Sequence, residues 1–238
     1  MLCDAQTAQF RDQGFLVVED VLDDAVLGPV RDAYAAILDR LIDGWGLTEA
    51  LAGRSFADRI IETYRAGHDW FQPMDISLPG DRIAPDTPMH FGPAVFAMIT
   101  APRLLDLVER LIGPEITSNP IQHVRIKPPQ DALRPGEVRG HVGGTDWHQD
   151  RGVALAEADA TTMITVWIAV TDATAENGCL QVVPHPDRTL LPHCPQRQTA
   201  IAPGQIDTAR AVPLPVRAGG VVILDPLVPH ASRPNRSD

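Results

Sequence analysis

A chain of 238 residues, 44% of them hydrophobic, is long enough to bury a sizeable core and lies in the size range of a single all-β domain. Its 31 Asp and Glu outnumber 20 Lys and Arg for a formal charge of -11, which repels phosphate backbones and anionic headgroups and excludes nucleic acid and membrane surfaces as expected partners. No apolar run reaches the length of a membrane span, and the opening MLCDAQTAQFRDQG lacks the basic start and apolar stretch of an export signal, so a cytoplasmic address is expected.

In chain order, the first third reads as helical. Phe10, then Val26, Val30, Ala33, Tyr34, Ile37, Leu38 and Leu41 recur at three- and four-residue intervals, with Asp23 or Asp24 as N-cap of the longer helix. Between the two helical stretches, Gly14-Phe15-Leu16-Val17-Val18 is short, β-prone and opened by glycine, which predicts a strand joining a sheet formed mostly later. Ala101 through Leu111 predicts a further helix, with Pro102 in its first turn and Gly113 just past its end.

From Ile116 onward short β-prone runs alternate with proline and glycine, the pattern of a sandwich or barrel. The expected strands are Gln122–Lys127, Thr145–Asp150, Thr161–Val170, Leu180–Val183, Ala211–Val216 and Val221–Leu224. Between Lys127 and Thr145, three prolines and four glycines predict a long irregular loop, a candidate lid. No internal repeat or low-complexity tract occurs, and the sequence carries no signal for an oligomeric state. Cys3, Cys179 and Cys194 are odd in number without C-x-x-C spacing, so they are expected as free thiols, Cys179 in the core.

The chemistry concentrates in Asp146-Trp147-His148-Gln149-Asp150. Residues two apart on a strand share a face, so His148 and Asp150 point the same way. His230 follows the apolar strand Val221–Leu224 and a corner bracketed by Pro226 and Pro229. Two imidazoles and one carboxylate form the three-ligand face that non-haem ferrous iron takes with positions left open; thiolates would favour zinc or clusters, and an all-oxygen set magnesium or calcium.

Four segments together resemble the phytanoyl-CoA dioxygenase family of iron and 2-oxoglutarate enzymes. They are Phe10 through Val18, the Trp147-His148-Gln149-Asp150 motif, Asn177 through Pro184 (NGCLQVVP), and His230 through Ser237 (HASRPNRS). The resemblance implies a mainly β fold with N-terminal α-helices: a double-stranded β-helix, or cupin-like jelly roll. It would form one oxygenase domain over residues 1–238, with a mostly helical layer at 1–115 and the jelly-roll core at 116–238. It also implies His148, Asp150 and His230 as ligands of Fe(II), 2-oxoglutarate and O2 as co-substrates, a small-molecule substrate, and release of succinate and CO2. In related halogenases a small residue replaces the carboxylate; with Asp150 present, hydroxylation or another oxidation is expected instead.

The family's arginine for the distal carboxylate of 2-oxoglutarate falls about eleven positions after the second histidine, past Asp238, so the expectation is a natural chain that continues further. Ser232 shares the face of His230 if the strand continues and then reaches the same carboxylate; Arg233 falls on the opposite face and Arg236 on the surface. Arg125 and Lys127 project from one face of a strand that the resemblance places on the pocket wall, where they meet a carboxylate or remain a solvated pair; Gln122 and His123 are weaker candidates there. Trp167 resembles the family's pocket tryptophan or is core filling. Asn177-Gly178 reads as a tight turn. Of the remaining histidines, His141 in the loop is a candidate for substrate contact, His68 and His90 are minor ones, and His185 and His193 are expected to face solvent.

Two other readings compete. A zinc-dependent cupin-like hydrolase would use the same three ligands, with Asp146 as base. A non-catalytic jelly-roll binding domain would hold no turnover at all.

Overall fold

The computed structural model describes residues 2–77, 82–90, 92–119, 122–137, 139–140, 142–154, 156–158, 160–194 and 197–237. Helices come first: α1 (Asp4–Gln13), then after strand β1 (Phe15–Val18) the helices α2 (Asp24–Gly44), α3 (Phe56–Arg65), α4 (Phe71–Met74), α5 (Pro93–Ile99) and α6 (Pro102–Ile112). Asp23 caps α2, its carboxylate accepting from the Val26 N–H at 3.2 Å, and Gly113 ends α6 at φ 94. Helices α3 to α5 fall within the layer 1–115 expected to be mostly helical, though the sequence reading named none of them individually.

The strands that follow are short: β2 (Thr165–Ile168), β3 (Leu180–Val182), β4 (His193–Cys194), β5 (Arg197–Ile201), β6 (Val212–Leu214), β7 (Val221–Leu224) and β8 (His230–Ser232). They form two antiparallel three-stranded sheets, ordered β1-β7-β2 and β6-β3-β8, and a β4-β5 pair. Helical residues outnumber strand residues among those described, so the balance is not the mainly β one expected.

Two expected strands differ from the finding. Residues 122–127 are extended without an assigned ladder, and of Thr145–Asp150 only His148 forms a bridge, after which the chain turns into a 3-10 helix at Asp150–Val153. Alternation had marked which way their side chains point but not whether a neighbour lies within pairing distance.

Alternation in β7 divides the molecule into layers. Val221 and Ile223 face the helices with Leu16, Val166 and Ile168; Val222 and Leu224 face the second sheet, packing with Leu180, Val182, Leu214, Val216 and Trp167. All four β7 side chains are essentially inaccessible, each contributing about 1.5–3 kcal/mol by burial. β1 reaches this sheet through Gly14, which ends α1 at φ 77; a Cβ there would stand 2.5 Å from Val228 Cγ2. The Asp225 N–H donates to Gly14 O at 2.7 Å, so the amino-terminal segment braces the corner that leads into β8.

The proline- and glycine-rich loop before Thr145 is tied to α3. The Tyr64 hydroxyl donates to Glu137 Oε2 at 2.7 Å, and Arg139 donates to both Glu137 oxygens at 2.9 Å. Hydrogen bonds from Arg139, outweighing burial and joined by Tyr64, hold the Glu137 carboxyl down at about 2. A depressed carboxyl stabilises the fold above its unfolded value and loses that contribution as pH falls through the folded one. Glu137→Gln is therefore expected to lower stability by about 2 kcal/mol at neutral pH, with the difference from wild type fading as the pH falls from 4.5 toward 2. Denaturant melts across that range check it; a constant difference would contradict the assignment.

Candidate metal centre

His148 and His230 face each other across one bridge. The His148 N–H donates to His230 O and the His230 N–H to His148 O, both at 2.9 Å. β8 thus lies between β3 and the segment carrying the H-x-D motif. His230 opposes Val182 and Ser232 opposes Leu180, so both point with those residues into the space between the sheets. The 3-10 turn at Asp150 brings its carboxylate back to the rings: Oδ1 lies 3.6 Å from His148 Nε2 and 3.5 Å from His230 Nε2.

The rings are oriented the same way. His148 Nδ1 bonds Asp146 O at 2.7 Å and His230 Nδ1 bonds Val228 O at 3.0 Å, each the carbonyl two residues earlier. A ring whose Nδ1 proton is held by a carbonyl presents Nε2 as the ligand atom, the outer-shell arrangement of metal-binding imidazoles. One ligand atom from each of the three residues lies within 4.8 Å of the others. Two bonds of about 2.1 Å at right angles set donors roughly 3 Å apart, close to the observed spacing, so the residues fit a first-row metal ion.

Burial lowers His148 to about 3, with the charge at His230 adding to the effect. Burial also pushes Asp150 up and His230 down, but their mutual attraction wins in both: Asp150 lies below the ordinary carboxylate range and His230 above the ordinary imidazole value.

Two residues that sequence reasoning passed over hold the centre in place. The Thr165 hydroxyl, on β2, donates to Asp150 Oδ2 at 2.5 Å, leaving Oδ1 for the imidazoles. Gln149, fully buried between the two ligands, turns the other way. Its Nε2 donates to Thr189 O at 2.9 Å and Leu227 O at 2.6 Å, while Oε1 accepts from the Leu191 N–H at 2.8 Å. The alternation that puts His148 and Asp150 on one face already placed Gln149 on the opposite one; its partners, some 40 and 78 residues away, left no local signal. Thr165→Val is expected to weaken metal affinity by about 10–100-fold with little loss of stability, as measured by titration with Fe(II) or Co(II). An affinity unchanged within twofold would show that Thr165 does not orient the carboxylate.

The other expected site residues divide. Arg125 lies near enough to the centre for its charge to be felt there: Asp150 and Asp75 offset the effect of burial on its guanidinium, and Arg125 in turn lowers both imidazoles. Its Nη1 donates to Gly140 O at 3.3 Å. Lys127 is turned to the backbone, donating to Arg233 O at 3.0 Å and Gly178 O at 3.3 Å, and burial with the neighbouring Arg125 brings its amine down to about 7. Ser232 shares the face of His230 as expected, but its hydroxyl is paired with Thr145 Oγ1 at 2.9 Å and accepts from the Thr145 N–H at 3.0 Å. Trp167 packs against the core between the sheets, two residues along the same face from Thr165.

Arg233 is half-buried and Arg236 exposed. Asn177 and Gly178 form the turn before β3, with Gly178 at φ 100. Asp146 is exposed. His141 lies outside the described residues. His185 bonds locally to Thr189. His193, expected in solvent, is half-buried: its Nδ1 bonds Leu191 O at 2.8 Å, its Nε2 is buried with no hydrogen-bond partner among the described residues, and a Cβ on Gly152 would stand 2.5 Å from that nitrogen. Packing of β4 and β5 against the Asp150–Val153 turn draws it inward. Among the described residues no helix is long and apolar enough to cross a membrane.

Residues 10–238 match the family described as Phytanoyl-CoA dioxygenase (PhyH). A zebrafish (Danio rerio) protein named Phytanoyl-CoA dioxygenase domain-containing protein 1 is 26% identical over 266 residues, covering 100% of this chain and 87% of that protein. The mouse (Mus musculus) protein of the same name is 36% identical over 108 residues, 41% of this chain and 37% of that protein. Among solved structures, EvdO2 from Micromonospora carbonacea var. aurantiaca complexed with 2-oxoglutarate aligns with a TM-score of 0.57 at 20% identity, covering 100% of this chain and 86% of that one. The epimerase SnoN in complex with Fe3+, alpha ketoglutarate and nogalamycin RO aligns with a TM-score of 0.54 at 19% identity, covering 99% and 78%. With nearly its whole length matched by the family and a His-Asp-His group at the expected positions, the chain belongs to the phytanoyl-CoA dioxygenase family.

Proposed function

We propose that this protein is an Fe(II)- and 2-oxoglutarate-dependent dioxygenase that hydroxylates a small organic metabolite and releases succinate and CO2. The observation that carries the reading is the pair of imidazoles whose Nδ1 atoms are held by carbonyls and whose Nε2 atoms turn to one ionised carboxylate. His148, Asp150 and His230 hold the iron, and Thr165 holds the second oxygen of Asp150. When bound, iron supplies the oxidative decarboxylation of 2-oxoglutarate that drives substrate oxidation by O2.

The protein's part is binding, orientation and exclusion of water. Arg125 offers a planar, permanently charged fork to a carboxylate of the co-substrate. Trp167 and Ser232 line the space between the sheets beside the ligands, and Lys127 fixes the strand ends behind Arg125. The metal and the co-substrate match what the SnoN structure contains, Fe3+ and alpha ketoglutarate, and EvdO2 is complexed with 2-oxoglutarate. The two small sheets with the extended segments at 122–127 and 145–148 form a double-stranded β-helix in this reading, joined to the helical layer as one oxygenase domain.

The test is turnover of 2-oxoglutarate to succinate with uptake of O2 by the Fe(II)-loaded chain, run beside hydrolytic assays of the Zn(II)-loaded chain. Iron-dependent succinate is expected; hydrolysis with zinc and no succinate with iron would overturn the proposal.

A further inference from the structure

Arg125 lies on a segment, 122–127, that no assigned sheet ladder holds among the described residues. The grip comes from the helical layer. Asp75, directly after α4 and 3% exposed, accepts from the Val124 N–H with Oδ1 at 3.2 Å and bonds His123 Nδ1 with Oδ2 at 3.1 Å. Oδ1 also accepts from the neighbouring Ile76 N–H at 2.9 Å. Ser77 continues the contact, its hydroxyl accepting from the Gln122 N–H at 3.0 Å and donating to Gln122 O. Val124 and Ile126 pack toward the helices, while Lys127 Nζ reaches away to Gly178 O and Arg233 O.

The Tyr34 hydroxyl and His90 Nε2 are both buried and make no hydrogen bond among the described residues. A buried carboxylate with two of its three bonds on residues 123 and 124 acts as a clamp one residue before the guanidinium. The charges of Asp150 and Asp75 both act on Arg125. We propose that Asp75 is a positioning residue for co-substrate binding, anchoring His123 and Val124 from the helical layer and so aiming Arg125 at the metal centre. This rests on the reading that Arg125 meets a carboxylate of 2-oxoglutarate.

The test is a double-mutant cycle on the full-length Fe(II)-loaded protein under anaerobic conditions, with 2-oxoglutarate affinity read by calorimetry and Fe(II) affinity measured separately. Asp75→Asn and Arg125→Gln are each expected to weaken 2-oxoglutarate binding by about 10–100-fold, the range for loss of a hydrogen bond to a charged group, with Fe(II) affinity retained. Because Asp75 acts through Arg125, adding Asp75→Asn to Arg125→Gln is expected to cost less than about threefold more. Additive losses would mark Asp75 as merely structural. Should Asp75→Asn unfold, Ser77→Ala tests the same grip at Gln122 with the same non-additivity. If Arg125→Gln weakens binding and the clamp variants leave it within twofold, the inference falls while the reading of Arg125 stands. If wild type binds Fe(II) but not 2-oxoglutarate, or Arg125→Gln has no effect, the reading falls and the inference with it.

Discussion

His230→Ala is expected to abolish iron-dependent turnover, with Fe(II) affinity falling by more than the 10–100-fold that loss of an outer-shell partner costs. His230 is 5% exposed, its Nε2 faces Asp150 at 3.5 Å, and its backbone exchanges both hydrogen bonds with His148. Alanine keeps the backbone bridge, so the segment carrying His148 stays in place and the loss is one of donor rather than of fold. Some stability is lost as well, since Asp150 keeps its charge without the imidazole beside it. His230→Gln fills the volume and separates the two effects: stability is expected to recover, and turnover is not. Metal titration and thermal melting on the same samples read both, and a His230→Ala protein that binds Fe(II) as wild type does would refute the assignment.

Gln149→Leu is expected to be nearly as damaging by another route. Leucine fits the space but strands two carbonyls and one N–H that Gln149 satisfies in a fully buried setting, at about 1–3 kcal/mol for each group. Partial relaxation brings the expected loss to about 3–5 kcal/mol in denaturant unfolding. Because the side chain ties the corner before His230 to the motif holding His148 and Asp150, metal affinity is expected to fall by about 10–100-fold as well. A destabilisation below about 1 kcal/mol would mean that the three contacts are not what holds that corner.

The parts of the molecule legible in the sequence are those governed by local periodicity. Val30, Tyr34, Ile37 and Leu38 mark one face of α2, the run Val221–Leu224 is a strand buried on both sides, and the spacing of His148 and Asp150 turns both toward the same point. His230 was legible because it follows that strand after a corner. The positions of Thr165, Gln149 and Asp75 depend on partners 15 to 78 residues away, and such contacts leave no period to read. Ser232 shows the same divide. Its face followed from alternation, but its pairing with Thr145, 87 residues earlier, did not. Helix α5, of seven residues and begun by proline, is too short for its periodicity to stand out.

In the proposed reading His148, Asp150 and His230 grip one ferrous ion and leave room on it for 2-oxoglutarate. Anaerobic titration of the protein with Fe(II) and then 2-oxoglutarate, followed by visible absorption, addresses both halves in one experiment. One Fe(II) per chain and a charge-transfer band that saturates at one equivalent of 2-oxoglutarate are expected, with neither seen in the His148→Ala/His230→Ala double variant. Iron binding of equal strength in that variant, or a wild-type protein that takes up iron and shows no response to 2-oxoglutarate, would contradict it.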